Sequence, residues 1–304
     1  MPVSYETFQN LFSKERDKNE DVLEGIYHRG QDNIWNGQKV LEELTSKYGV
    51  PEPDPDKLES VKNIFSIILW GEYAAWNVSS QLSFMLDDYG AKIAAVSQAH
   101  DEARHFYVMR DYLRLLNYEP QELPKHVSYI LREVCDTKDL ARKLLGMQLM
   151  IEPIALTIFR FVRRANIDPV LSNLLGYFEI DESRHIALGI KYLPGLLREM
   201  NRFELARFLV WQAKLINAEI SGLKILEKDL VALGLDPLEV FEFAESKQLE
   251  CLRLVAVEMG ISENIWKPIV KVIQFKKRMT FYPNKQDNFI KRVSTSLFDV
   301  FATT

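Results

Sequence analysis

What most constrains this chain is a repeat of chemistry-bearing residues. Asp101-Glu102-Ala103-Arg104-His105 and Asp181-Glu182-Ser183-Arg184-His185 share the pattern Asp-Glu-small-Arg-His. Each is preceded by a lone glutamate among apolar residues, Glu72 near Ile68, Ala75 and Trp76, and Glu152 near Gln148, Ile151 and Ala155. Glu72 and Glu152, Glu102 and Glu182, and His105 and His185 all stand 80 positions apart. On a helix, a Glu and a His three residues apart share one face. That face also carries apolar residues, so it points at the core. Burying an ionised carboxylate without a partner is costly, and four of them need a common reason.

The rest of the sequence predicts the helices that this pattern requires. Only 13 glycines and 12 prolines punctuate 304 residues, and they cluster between long segments of helical period, which favours an all-α chain. Residues 1–50 hold one or two helices, and Pro51-Glu52-Pro53-Asp54-Pro55 is a stiff connector. Four helices follow over about 57–86, 91–116, 138–165 and 170–191, the last stopping near Pro194 and Gly195. A long connection over 117–136 separates the second from the third. Three further helices are expected over 202–234, 237–260 and 262–279, and a mixed segment over 282–304. At 1.5 Å per residue, the helical paths from Glu72 to its turn and back to Glu102 are about 22 and 18 Å, and those from Glu152 to its turn and back to Glu182 are about 21 Å each. Both hairpins therefore bring their Glu and their Glu-x-x-His to one level. Facing each other, they place four Glu and two His together, with the long connection as the crossover. The expected organisation is one domain over 1–304, with a four-helix core over about 57–195.

Six such donors on four helices form a ligand set for two iron or manganese ions. Zinc fits poorly, with no cysteine among the donors and only two histidines. A ligating His usually donates its second ring N–H to a carboxylate. Asp101 is therefore expected to orient His185, and Asp181 to orient His105, with Arg104 and Arg184 anchoring the aspartates. Pro153, directly after Glu152, removes a backbone donor and predicts a kink or a π-bulge there.

Composition excludes several classes. A net charge of −5 gives no footprint for nucleic acid. Two cysteines, Cys135 and Cys251, make no disulfide framework. No signal-peptide pattern and no run of 18 apolar residues is present, so a cytoplasmic chain without a membrane span is expected.

The pattern Glu72, Glu102-x-x-His105, Glu152, Glu182-x-x-His185 resembles the ferritin-like di-iron superfamily. Its Asp-Glu-x-Arg-His form is similar to that of multicomponent monooxygenase hydroxylases. His185-Ile186-Ala187-Leu188-Gly189-Ile190 resembles the corresponding run of ribonucleotide-reductase-small-subunit-like ligand-binding oxidases. The resemblance implies a ferritin-like four-helix bundle with accessory C-terminal helices. It also implies two iron ions, or a manganese and an iron, that activate O2. Differences narrow the family. The position of the reductase radical tyrosine is Met109, the positions of the oxidases' valine–tyrosine crosslink are Ala75 and Met147, and the extra histidine of aryl-amine oxygenases is replaced by Phe178. The chain also extends far past the bundle, unlike a storage ferritin. The expected function is an O2-dependent oxidoreductase acting on a small apolar substrate, with an external electron donor and a two-fold homodimer. The alternatives are a ferroxidase or metal-handling protein, and a radical-generating subunit. Trp76, Phe106, Met109, Met147, Phe159 and Phe178 are the candidate substrate lining. The small residues Ala75, Ala103, Ser183 and Gly189 would leave room for the substrate.

Overall fold

The computed structural model describes residues 18–281 and 288–302, and the segments predicted over 1–17 and 282–287 lie outside them. Among the described residues every regular element is helical. Helices α1 (Lys18–Asp32) and α2 (Gly37–Tyr48) precede the proline connector. The four core helices are α3 (Pro55–Met85), α4 (Tyr89–Leu115), α6 (Leu140–Ala165) and α7 (Pro169–Glu199), with α5 (Lys125–Asp136) in the crossover. Local chemistry sets their ends. Pro55 and Pro169 occupy the first turns of α3 and α7, where a missing N–H costs no intrahelical bond. Asp88 and Asp168 cap α4 and α7, each accepting at 2.7 Å from the backbone N–H three residues on. Asn166, in the left-handed conformation, ends α6.

Helix α3 packs on α4 and α6 on α7, and α4 contacts α7 across the bundle. Two buried apolar clusters lie in this packing. One includes Leu82, Leu86, Ala94, Leu144 and Leu188, and the other Ile64, Phe65, Val108, Met109, Phe159 and Leu175. Helices α1 and α2 lie against α4 and α7. After the bundle come α8 (Arg202–Ile225), α9 (Glu227–Ala232), α10 (Pro237–Met259), α11 (Lys267–Phe281) and α12 (Phe289–Ala302). Of these, α8 packs on α5, α9 on α3, and α10 on α6 and α7.

Three boundaries differ from the sequence reading. Helix α7 runs through Pro194 and Gly195 to Glu199. An interior proline costs roughly 3 kcal/mol, but Leu193 and Leu197 on the same stretch are buried, and each contributes roughly 1.5–3 kcal/mol. The helix expected over 202–234 breaks at Leu226, whose side chain turns into the core. The mixed C-terminal segment contains α12. In addition, α6 is long and apolar enough to cross a membrane, yet 78% of its most apolar window is buried inside this structure. Its apolarity serves packing on α7, α10 and the π-turn's neighbours.

Candidate metal centre

The four glutamates and two histidines converge in the middle of the bundle, all of them buried. Two groups form within them. The donor atoms of Glu72, Glu102, His105 and Glu182 lie within 4.8 Å of one another, and so do those of Glu102, Glu152, Glu182 and His185. Glu102 and Glu182 belong to both groups, so they would be shared if each group held an ion. His105 turns Nδ1 inward, 3.3 Å from Glu72 and 3.3 Å from Glu182. His185 does the same, 2.9 Å from Glu102 and 3.3 Å from Glu182.

Three inward atoms make no hydrogen bond: Glu102 Oε2, Glu182 Oε1 and His105 Nδ1. Unpartnered buried donors and acceptors cost about 1–3 kcal/mol each, and metal ions would satisfy all three. The charge also fits, since two divalent ions bring four positive charges to four carboxylates. Without ions, protons must do this work. Burial pushes Glu72 up to about 8 and Glu152 well above the carboxylate range, with the neighbouring glutamates adding to both. Burial acts the same way on Glu102 and Glu182, but the adjoining histidines outweigh it at Glu102, and a hydrogen bond with Glu152 together with both histidines outweighs it at Glu182, so both are held low. Burial opposes charge on His105 and His185 as well, yet the surrounding carboxylates hold both well above the ordinary imidazole value. The chain can therefore exchange bound protons for bound metal at this site.

Behind the donors the outward ring nitrogens meet the aspartates of the opposite repeat. His105 Nε2 lies 3.0 Å from Asp181, and His185 Nε2 lies 3.4 Å from Asp101. Arg104 donates to Asp101 at 2.6 Å and to Asp181 at 2.9 Å, and Arg184 to Asp181 at 2.5 Å and to Asp101 at 2.9 Å. Two arginines and two aspartates thus alternate in a closed, buried ring that ties α4 to α7. Its charges cancel, so it fixes the histidines without adding charge to the centre.

Sequence reasoning did not assign roles to three neighbours. Gln98 donates to Glu102 at 3.2 Å and to Glu152 at 3.0 Å, and Gln148 donates to Gln98 at 3.2 Å. Both glutamines stand four residues before a donor glutamate, so the helical period could have found them. Trp35, in the turn between α1 and α2, donates to Asp181 at 2.9 Å, lies beneath the Arg104 guanidinium and stacks with His105. Nothing local to Trp35 signals that contact. The π-turn over Leu145–Ile151 ends at Glu152 and Pro153, which decides between the kink and the bulge. It leaves the carbonyl of Met150 to accept a side-chain bond from Gln248 of α10 at 3.0 Å.

A cavity of about 110 Å³ adjoins the centre, with Glu72 and Glu152 in its wall. Ile67, Ile68, Gly71 and Ala75 of α3, Ile130 and Leu131 of α5, Ile154 and Ala155 of α6 and Leu223 of α8 line it, together with Glu219 of α8. None of Trp76, Phe106, Met109, Met147, Phe159 and Phe178, the lining expected from the sequence, faces this cavity. At 100° per residue, Ile67, Ile68, Gly71 and Ala75 fall on one flank of Glu72, while Tyr73 and Trp76 fall on the other. Trp76 is 37% exposed and packs with Tyr73 and Phe106. Met109, Met147 and Phe159 are fully buried core. Phe178 stacks on His105 with ring centres 4.1 Å apart. Of the small residues, Ala75 does line the cavity. Ser183 points outward, and Gly189 serves packing, since a Cβ there would meet Gln148 at 2.7 Å.

No protein-family model matches the sequence, and neither does any curated protein at a significant level. Solved structures do match. A Synechococcus protein with aldehyde deformylating oxidase activity superposes with a TM-score of 0.59 at 17% identity, over 71% of this chain and 98% of that one. A Bacillus halodurans structure assigned to class I ribonucleotide reductase superposes with a TM-score of 0.58 at 13% identity, over 85% of this chain and 98% of that one. The chain therefore has the ferritin-like helical-bundle fold of these structures, with the buried Glu/His cluster at its centre.

Proposed function

We propose that the chain is an oxidoreductase that uses two metal ions, iron or manganese with iron, to oxidise a small apolar molecule with O2. The observation that carries this reading is the pair of donor groups sharing Glu102 and Glu182, whose outer members Glu72 and Glu152 stand in the wall of an apolar cavity. A bound pair of such ions supplies reversible redox change and open positions for oxygen. The residues supply the rest. His105 and His185 would bind the ions through Nδ1 while Asp181 and Asp101 hold their rings. Glu72 and Glu152 would bind at the cavity side, so that the substrate and the ions share a boundary. The isoleucines around them keep bulk water out. The aldehyde deformylating oxidase activity of the Synechococcus protein is a reaction of this general kind, on a protein of the same fold. The apolar cavity favours an organic substrate over a path for iron transit.

The test is to load the protein anaerobically with ferrous iron, count the metal and then admit O2. About two ions per chain are expected, together with O2 uptake that rises when small apolar molecules are supplied. Iron loading far above two ions per chain would convert the reading to storage. A tyrosyl radical formed without any substrate effect would convert it to a radical-generating subunit.

A further inference from the structure

Glu219 is the polar residue of the cavity wall that the repeat does not explain. It is 5% exposed and sits on α8 among Leu215, Ile216, Ala218, Ile220 and Leu223, all buried. It belongs to neither donor group. Its two oxygens differ. Oε2 accepts from Gln248 Nε2 at 3.3 Å, while Oε1 has no hydrogen-bond partner. The same Gln248 nitrogen donates to the Met150 carbonyl at 3.0 Å. A carbonyl can only accept, so Gln248 must present its NH2 group to both neighbours. Oε2 is therefore held as an acceptor, and any proton on Glu219 belongs on Oε1. Burial pushes this carboxyl up to about 8, so the protonated form prevails at neutral pH. A buried O–H donor without an acceptor costs free energy, and here it belongs to a cavity whose wall is apolar apart from Glu219 and the two donor glutamates, Glu72 and Glu152.

We infer that Glu219 anchors the substrate by donating from Oε1 to an uncharged oxygen acceptor, so that the cavity takes small molecules with an apolar body and one carbonyl or comparable oxygen. This names the substrate class of the proposed centre and rests on that reading in taking the cavity as the substrate's. The volume limits the body. A cavity of roughly 150 Å³ holds benzene, and one of about 110 Å³ suits a molecule with slightly fewer heavy atoms. A purely apolar ligand would leave the O–H unsatisfied. An ammonium group is the competing class, because Glu72 and Glu152 stand in the same wall. Bound ions would engage those two carboxylates and leave Glu219 alone to balance it, so the ammonium is compared on the metal-loaded protein.

Three probes of equal heavy-atom count separate these classes: butanone, its alkene isostere 2-methylbut-1-ene, and sec-butylammonium. Their dissociation constants are read from the isoleucine methyl NMR shifts of the full-length protein, both with and without metal. The ratio of alkene to ketone dissociation constants cancels the cavity's general affinity for apolar bodies. That ratio is expected to fall about tenfold in Glu219→Leu, the size of one hydrogen bond's contribution. It is expected to stay within about twofold of wild type in Glu219→Gln, whose amide can donate toward the cavity while its carbonyl accepts from Gln248. An unchanged ratio in Glu219→Leu, tighter binding of the ammonium than of the ketone by the metal-loaded protein, or no methyl shift with any probe would each overturn the inference. Because binding is read apart from metal content, a chain that holds two ions but fails this test loses only the anchor. A chain that binds the ketone as expected but holds no metal loses the oxidoreductase reading.

Discussion

The two halves of the centre use the same donors but are surrounded differently. Four residues before Glu102 stands Gln98, which donates to Glu102 and Glu152. Its counterpart 80 positions on is Phe178, which stacks on His105. Four residues before Glu72 stands the cavity residue Ile68, and its counterpart is Gln148. Helix α3 runs unbroken past Glu72, whereas α6 reaches Glu152 through a π-turn. The shared part is what any two ions of this kind require. The unshared part makes the positions unequal. At the His105 position, rings wall the donors and a short bond to Asp181 raises the basicity of the imidazole. At the His185 position, Gln98 draws charge from two carboxylates, and the bond to Asp101 is longer. The ion beside His105 should therefore be held more tightly.

The largest expected effect tests the shared part. Glu102→Ala or Glu182→Ala removes a donor from both groups and should abolish binding of both ions. Glu72→Ala or Glu152→Ala removes a donor from one group and should leave about one ion per chain. Metal analysis after dialysis against a weak chelator reads the difference. Helical content should be unchanged, and the metal-free variants should melt below the wild-type temperature, most for Glu102→Ala and Glu182→Ala, because removing an ionised partner leaves the buried histidines undercompensated. Equal metal loss in all four variants would break the distinction between shared and outer carboxylates.

Next in size are the aspartates. Asp181→Asn and Asp101→Asn should each weaken metal affinity roughly 10–100-fold, because metal-bound histidines depend on the carboxylates behind them. The unequal distances, 3.0 Å against 3.4 Å, place the larger loss at Asp181. Competition titrations with a coloured chelator resolve the two ions as separate phases. Asp181→Asn should reduce the gap between the phases and Asp101→Asn should widen it. The opposite pattern would reverse the assignment of the tight position.

The asymmetry also explains what the sequence could and could not disclose. A metal would dictate both the type and the position of its donors, so Glu72, Glu102-x-x-His105 and their repeats stand out without any structure. The aspartates and arginines were legible for the same reason, since they ride one residue ahead of the ligands on each helix. Pro153 marked the π-turn because a missing N–H has a local consequence. Glu219 carried a usable signal, a lone carboxylate on an apolar helical face like Glu72, but no histidine and no repeated partner raised it above an ordinary buried ion pair. Trp76 and Phe106 lie away from the cavity, and helical spacing does not say which flank of Glu72 borders it. The packing of α5 against α3, and of α8 against α5, decides that, and it depends on contacts far apart in sequence. Pro194 misled in the opposite way, where a local rule for ending helices yielded to the burial of Leu193 and Leu197.

Trp35 gives the smallest and most selective test. Its indole N–H adds a fourth donor to Asp181, beside those of Arg104, Arg184 and His105, while Asp101 has no indole partner among the described residues. Trp35→Phe keeps a ring against His105 and Arg104 but removes that one donor. A hydrogen bond to a charged group contributes about 1.5–3 kcal/mol where nothing replaces it. Asp181 keeps both arginines and His105, so the loss should lie at or below the lower end of that range. The expected result is a fewfold weaker tight phase, an unchanged weak phase, and a lower melting temperature for the metal-free protein. A loss that fell equally on both phases would mean that the buried Asp–Arg ring acts as one unit. The inequality of the two ions would then have to come from Gln98 and Phe178 instead. Gln98→Leu with Phe178 intact would decide that by strengthening the weak phase or leaving it unmoved.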